Sequence, residues 1–200
     1  MPQLVAVNNM ITAAIAAIRD TRDVLANGSA NPYGGIPGTQ FRATSQNQQN
    51  AIREAVQECY AMHNIATNAL VPDPLRITLC DAKIAVGQKA GNCDQHASVA
   101  FAYLYINDYW PIYKVHLPGH AFVVLGNPAA APFVICDPWC DRYCSDNLIH
   151  LWLQHVWGAA APRWGAHQVV ASWTRGGGCE WMYNLLTAAQ DANDKMNFSD

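Results

Sequence analysis

Residues 91–104, GNCDQHASVAFAYL, place a cysteine at the start of an apolar helical pattern. Ala97 and Leu104 fall on the same helical face as Cys93, so the spacing predicts a helix from Cys93 to about Asn107. The N-terminus of a helix carries unpaired N–H groups and the positive end of its dipole, which stabilise a thiolate or an oxyanion beside it. Cys93 is therefore the candidate nucleophile.

The periodicity changes after this helix. Three short runs rich in valine and isoleucine follow, and Pro-Gly and Gly-Asn-Pro turns separate them. Such runs predict three adjacent antiparallel strands, at Tyr113–His116, Ala121–Leu125 and Phe133–Cys136. Further on, the pattern predicts a helix from Asn147 to Trp157, a strand at Gln168–Trp173, a glycine hinge at 176–178 and a last helix from about Glu180.

Upstream of Cys93 the apolar spacing is helical. It predicts a first amphipathic helix that ends at Asn27-Gly28 and a second helix capped by Ser45 and Gln48. A loop rich in Gly, Pro and Asn separates them over 27–40. Residues 75–86 fit either a short strand or a helix.

These elements predict a single α+β domain over 1–200. In this arrangement a helix that begins at Cys93 packs on a small antiparallel sheet to form a catalytic core over 75–175. An N-terminal helical layer (1–70) and a C-terminal helix (180–200) flank the core.

The composition limits the function classes. Hydrophobic residues make up 51% of the chain and charged residues 14%, which is typical of a folded globular protein. The net charge is −3 and no block of Lys or Arg occurs, so we expect no nucleic-acid partner. No apolar run reaches the roughly 18 residues of a membrane span. Seven cysteines, an odd number, leave at least one thiol free or paired with another chain.

The first residues lack the features of a secretory signal. Met1 to Ile18 contains no Lys or Arg, and Asn8, Asn9 and Thr12 interrupt its apolar residues. We therefore expect a protein that is cytoplasmic in the cell that makes it, or that a specialised secretion system exports.

Two more polar residues stand at predicted element boundaries. His120 follows a Pro-Gly turn and begins a strand, and Asp137 closes the neighbouring strand. A nucleophile, a base and an acid that orients the base are what attack on an amide bond requires. Each residue alone has an ordinary structural explanation, as a core thiol, a strand-start histidine or a turn aspartate. Their order and context together favour a catalytic triad of Cys93, His120 and Asp137.

Other residues compete for these roles. His116 lies four residues before His120, His96 lies one helical turn from Cys93, and Asp141 could replace Asp137. Gln88, five residues before Cys93, is a candidate donor to the oxyanion.

Cys136, Cys140 and Cys144 recur at every fourth position, with His150 beyond them. Structural zinc sites usually contain a closer Cys-x2-Cys pair, so we predict no metal and a short helical turn with exposed or paired thiols. Four of the seven tryptophans lie between 139 and 164. They could form a hydrophobic wall beside the site or belong to the core.

Three motifs in this order resemble the transglutaminase-like branch of the papain-like superfamily. They are Gly91-x-Cys93 at a helix start, His120-Ala121-Phe122 at a strand start, and Asp137-Pro138 at the end of the next strand. The segments GNCDQHASVAFAYL, GHAFVVLG and VICDPW are similar to compact bacterial glutamine/asparagine deamidase toxins and effectors. The resemblance covers residues 88–139.

The resemblance implies a cofactor-free enzyme that hydrolyses a Gln or Asn side-chain carboxamide of a target protein. It also implies delivery into another cell as a secreted effector. The same triad could cleave a peptide bond, cut cell-wall peptides or cross-link Gln to an amine. A non-catalytic binding module on the same fold is the alternative from a different class. The sequence leaves the target protein and the oligomeric state open.

Overall fold

A computed structural model describes residues 6–28, 46–67 and 73–174, and within 64–67 it describes the backbone alone. The described residues form five α-helices, α1 Val7–Val24, α2 Gln46–Thr67, α3 Pro74–Gln88, α4 Cys93–Ile106 and α5 Ile149–Trp157. They also form five strands, β1 Ile112–Leu117, β2 His120–Leu125, β3 Val134–Asp137, β4 Arg142–Ser145 and β5 Gln168–Trp173. The fold is of the α+β class, as predicted.

The strands make one antiparallel sheet in the order β4-β3-β2-β1-β5. A tight turn joins β1 to β2, so that Leu117 pairs with His120. Gly119 adopts a φ of 76° in this turn, a conformation that residues with a Cβ rarely adopt. The turn therefore makes His120 the first residue of β2, as the sequence predicted.

The central strand β2 is buried along its whole length, because the sheet is covered on both faces. Ala121, Val123 and Leu125 belong to the apolar cluster that contains α4 and α1. Phe122 and Val124 belong to a second cluster that contains α5. Adjacent residues of a strand point to opposite faces, so a run of apolar residues without alternation is what this position requires.

Residues 75–86, which fit either a strand or a helix in the sequence, lie in α3. The side chain of Asp73 accepts a hydrogen bond from the backbone N–H of Leu75 at 3.0 Å, and Pro74 occupies the first helical position. Both features favour a helix start. α3 packs against α4 and against α2, so its apolar residues are buried between helices rather than in the sheet.

The predicted helical turn at Cys136–Cys144 was wrong. The segment is a hairpin in which β3 pairs with β4, so that Ile135 lies opposite Cys144. Asp141 has a φ of 56° in the connecting turn. A spacing of four residues suits a helix, but it also suits two short strands joined by a tight turn. The thiols are neither exposed nor paired, since Cys136, Cys140 and Cys144 are buried and free.

Two predicted boundaries differ from the structure by a few residues. α1 ends at Val24 and a turn continues to Asn27, while α5 begins at Ile149 after a short 3-10 helix at Asp146–Leu148. The predicted cap at Ser45, the hinge at 176–178 and the helix from Glu180 lie outside the described residues. Within the described part of the chain, no helix combines the length and apolar character needed to cross a membrane.

Candidate active site

Cys93 is the first residue of α4, and local hydrogen bonds fix this helix start. The backbone N–H of Asn92 donates to the Gln95 side chain at 3.0 Å, and the backbone N–H of His96 donates to the Asn92 carbonyl at 2.9 Å. The first N–H groups of a helix have no acceptor within the helix. The dipole and the first N–H groups of α4 therefore favour negative charge beside the thiol.

Gly91 is required by the close approach of the helix to the preceding loop. A Cβ built at this position would lie 2.3 Å from the Cβ of Gln95. Gln95 is buried and its side chain accepts a hydrogen bond from Asn92, so it cannot move to make room for a larger residue at position 91. Packing therefore explains the glycine of the Gly-x-Cys motif, as the helix start explains its cysteine.

The ends of two neighbouring strands bring His120 and Asp137 together. His120 Nε2 lies 2.7 Å from Asp137 Oδ2, and both side chains are buried. Asp137 also accepts hydrogen bonds from the Trp152 indole N–H at 3.1 Å and from the backbone N–H of Cys140 at 3.2 Å. The carboxylate is therefore fixed from three sides and orients the imidazole.

The electrostatics of this pair favour a charged imidazole. Burial by itself would lower the pKa of His120, but the Asp137 carboxylate and hydrogen bonds with Asp137, Cys140 and Cys93 raise it well above its ordinary value. Burial would likewise raise the pKa of Asp137, and the His120 charge and hydrogen bond lower it. Because Nε2 faces Asp137, Nδ1 is the ring nitrogen left to face a thiol.

Aromatic rings surround the His120 imidazole. The ring centroids of Trp139, Trp157, Phe122 and Trp152 lie 5.2, 5.7, 5.9 and 6.2 Å from that of His120, respectively. Three of the four tryptophans between 139 and 164 thus line the site, while Trp164 stacks on Phe133. An apolar surrounding excludes water and strengthens the attraction between His120 and Asp137.

A surface cleft of about 420 Å³ gives access to Cys93 and His120. Cys93 is 9% exposed, whereas Cys140 is 1% exposed and does not line this cleft. Burial and the nearby Asp137 carboxylate raise the pKa of Cys140 to about 12. Of the two thiols beside His120, Cys93 is therefore the one that a substrate can reach.

A second polar network forms the wall of the cleft next to Cys93. Asp94 Oδ1 lies 2.8 Å from His116 Nε2 and 2.9 Å from Lys114 Nζ. Lys114 is buried, donates to Ser98 Oγ at 2.8 Å and lies 3.8 Å from Asp81 Oδ2. Burial alone would raise the pKa of Asp94, but hydrogen bonds from His116 and Lys114 hold it well below its ordinary value.

This network was not predicted from the sequence, although one signal was available. Lys114 and His116 alternate with apolar residues in β1, and this period of two places both on the face that α4 covers. A lysine on the buried face of a strand requires a carboxylate partner. That signal predicts a partner for Lys114 but does not say which aspartate it is.

The competing residues have other partners. His116 pairs with Asp94 rather than Asp137. His96 is fully buried, its Nδ1 lies 2.9 Å from the Asn92 carbonyl, and burial lowers its pKa to about 4. Asp141 lies 3.7 Å from Arg22 on the surface.

The structure does not bring Gln88 to the oxyanion position. Gln88 is the last residue of α3, and its side-chain amide donates to Glu58 at 2.9 Å, outside the residues that line the cleft. Lys89 ends α3 with a φ of 53°, so the chain changes direction between Gln88 and Cys93. This turn explains why Gln88 does not lie at the cleft.

One group of side chains has the residue types of a metal site. The ligand atoms of His120, Asp137 and Cys140 lie within 4.8 Å of one another. Asp137 already accepts three hydrogen bonds, from the Trp152 indole, from the backbone N–H of Cys140 and, at 2.7 Å, from His120. These side chains therefore have hydrogen-bond partners without a metal. Among the described residues, the ligand atoms of this group lie close enough to hold a metal ion. The sequence pattern of Cys136, Cys140, Cys144 and His150 does not form such a group.

No known protein-family model matches the chain, and no curated protein sequence matches it significantly. The resemblance to transglutaminase-like enzymes therefore stays a prediction from the three sequence motifs.

Proposed function

We propose that the chain is a cysteine-dependent protein deamidase with a transglutaminase-like, papain-like core, and that it acts as a secreted bacterial effector or toxin. The observation that carries the proposal is that Cys93, at a helix start, and His120 line one cleft, while the Nε2 of His120 is held by the buried Asp137. The accessible cleft at Cys93 supports it further.

The reaction proceeds in two steps. The Cys93 thiolate attacks the carboxamide carbon, and the oxyanion that forms is stabilised by the N–H groups at the start of α4. The C–N bond breaks, and protonated His120 gives its proton to the leaving ammonia. Neutral His120 then takes a proton from water, which attacks the thioester and releases a carboxylic acid and the Cys93 thiolate.

The size and position of the cleft favour a side chain as the substrate. A volume of about 420 Å³ falls within the ordinary range for sites that take small groups. A Gln or Asn side chain that protrudes from a folded target can enter such a site without unfolding of the target backbone. Peptide cleavage needs an extended segment on both sides of the scissile bond.

The test is to incubate candidate target proteins with the wild-type chain and with Cys93→Ala, in the presence of excess primary amine. Products are measured by intact and peptide mass spectrometry. We expect conversion of one internal carboxamide to the acid, and loss of this product with Cys93→Ala. Cys80→Ala, which removes a partly exposed thiol on α3, is the matched control and should retain the activity.

Each of the other outcomes has a defined meaning. Chain cleavage as the main product would mean that the same residues catalyse proteolysis. Amine incorporation would mean that they catalyse cross-linking. Activity that survives Cys93→Ala would exclude Cys93 as the nucleophile.

A further inference from the structure

His116 is a polar side chain of the cleft that the proposed reaction does not use. It borders the same cleft as Cys93 and His120, and its side chain is 40% exposed. Its Nε2 is held at 2.8 Å from Asp94 Oδ1, on the residue that follows the nucleophile. Its other nitrogen, Nδ1, has no hydrogen-bond partner among the described residues.

For a neutral imidazole, the pairing fixes which hydrogen-bonding role remains for Nδ1. Asp94 also receives the buried Lys114 ammonium at 2.9 Å, so it is an ionised carboxylate that only accepts hydrogen bonds. Nε2 of His116 must therefore carry the proton that it donates to Asp94. In a neutral imidazole the second nitrogen is then an acceptor.

We propose that His116 Nδ1 accepts a hydrogen bond from the NH2 group of the substrate carboxamide, with Asp94 and Lys114 as residues that position it. This role depends on the proposed deamidase function and makes His116 a specificity residue of that site. A carboxamide offers N–H donors, whereas a carboxylate or an ester offers none. The site thereby distinguishes the substrate carboxamide from the acid product, which improves release of the product.

Two uncharged alkylating agents test this without a known target protein. Iodoacetamide carries the carboxamide N–H donors, and methyl iodoacetate presents the same reactive carbon without them. The rate of Cys93 alkylation by each agent is measured by mass spectrometry and divided by the rate of the same agent with free glutathione. We expect the wild-type chain to prefer iodoacetamide by about fivefold, the effect of one hydrogen bond between neutral groups.

His116→Ala is the informative variant, because it removes the Nδ1 acceptor while Asp94 keeps its contact with Lys114. It should lose the preference for iodoacetamide over methyl iodoacetate. His150→Ala removes an exposed imidazole on α5 and should keep the preference.

Two results separate this inference from the proposed function. If Cys93 reacts rapidly but His116→Ala keeps the wild-type preference, the role of His116 is wrong and the nucleophile stands. If Cys93 reacts no faster than the partly exposed Cys80, the proposed function itself fails.

Discussion

The carboxylate of Asp137 keeps its charge in the protein interior because its donors surround it. His120, Trp152 and the backbone N–H of Cys140 occupy its two oxygens. In return, Asp137 keeps the buried His120 imidazole charged and fixes which ring nitrogen remains for a thiol. The identities of the two residues could be predicted from their motifs. Trp152 and Cys140 could not, because their contacts depend on where α5 and the β3–β4 turn pack.

Asp137→Asn tests this pair through the pH dependence of stability. The charge of His120 stabilises the fold below the ordinary histidine pKa of about 6.5, and this contribution is lost as pH rises through the raised pKa of the folded state. The charge of Asp137 stabilises it above the ordinary aspartate pKa of about 3.9, and this contribution is lost as pH falls through the lowered pKa. Both charges therefore contribute at neutral pH.

We expect Asp137→Asn to lower the free energy of unfolding by about 3 kcal/mol at neutral pH, the cost of breaking a buried pair. The difference from wild type should shrink at alkaline pH, once His120 has lost its proton. Urea unfolding at several pH values measures it. Asp141→Asn is the control, since Asp141 is exposed and its φ of 56° suits asparagine. An equal loss of stability in the two variants would contradict the ion pair between His120 and Asp137.

At the scale of elements, the start of α4 decides where Cys93 lies. Gly91→Ala would place a Cβ against the buried Gln95 side chain, and the close atom is its Cβ, which cannot rotate away. The helix start must therefore shift, at a cost of roughly 1–3 kcal/mol. We expect a lower free energy of unfolding and slower alkylation of Cys93.

Gly87→Ala is the matched control for this change. Gly87 lies within α3, and a Cβ there would meet no atom within 4 Å. In a helix, alanine in place of glycine stabilises by about 0.5–1 kcal/mol, so the control should be more stable than wild type, with unchanged Cys93 alkylation. If Gly91→Ala behaves like Gly87→Ala, the packing argument for the Gly-x-Cys motif fails.

The elements around the site differ in how well the sequence specifies them. β2 and β3 could be predicted because apolar runs and turn residues bound them clearly. α3 stayed ambiguous because its apolar residues are buried against two helices, which hides the helical periodicity. β4 was missed because its tight hairpin with β3 gives cysteines the four-residue spacing of a helix.

At the scale of the whole molecule, a chain of polar and charged side chains connects four elements around the cleft. His63 on α2 lies 3.0 Å from Asp81 on α3, and Lys114 on β1 lies between Asp81 and Asp94 at the start of α4. Residues 63 and 114 are far apart in sequence. Periodicity identifies the faces of individual elements. This network exists only once the helices pack on the sheet, so it could not be predicted from periodicity.

Lys114→Met would remove the cation and leave the buried Asp81 and the half-buried Asp94 as neighbouring carboxylates. Burial already raises the pKa of Asp81 even beside Lys114, and the loss of the ammonium would raise the pKa of both groups in the folded variant. A carboxylate whose pKa is raised by folding destabilises the fold above its ordinary pKa of about 3.9, and this penalty disappears as pH falls below that value. We therefore expect a loss of about 3–5 kcal/mol at neutral pH that becomes smaller toward pH 4.

The double variant Lys114→Met with Asp94→Asn separates charge from packing. It removes one of the two carboxylates that lose the lysine and should recover part of the stability that Lys114→Met loses at neutral pH. Urea unfolding of the wild type and both variants at neutral and acidic pH measures these differences. A loss that is the same at both pH values, with no recovery in the double variant, would mean that the lysine acts by filling space rather than by neutralising the carboxylates.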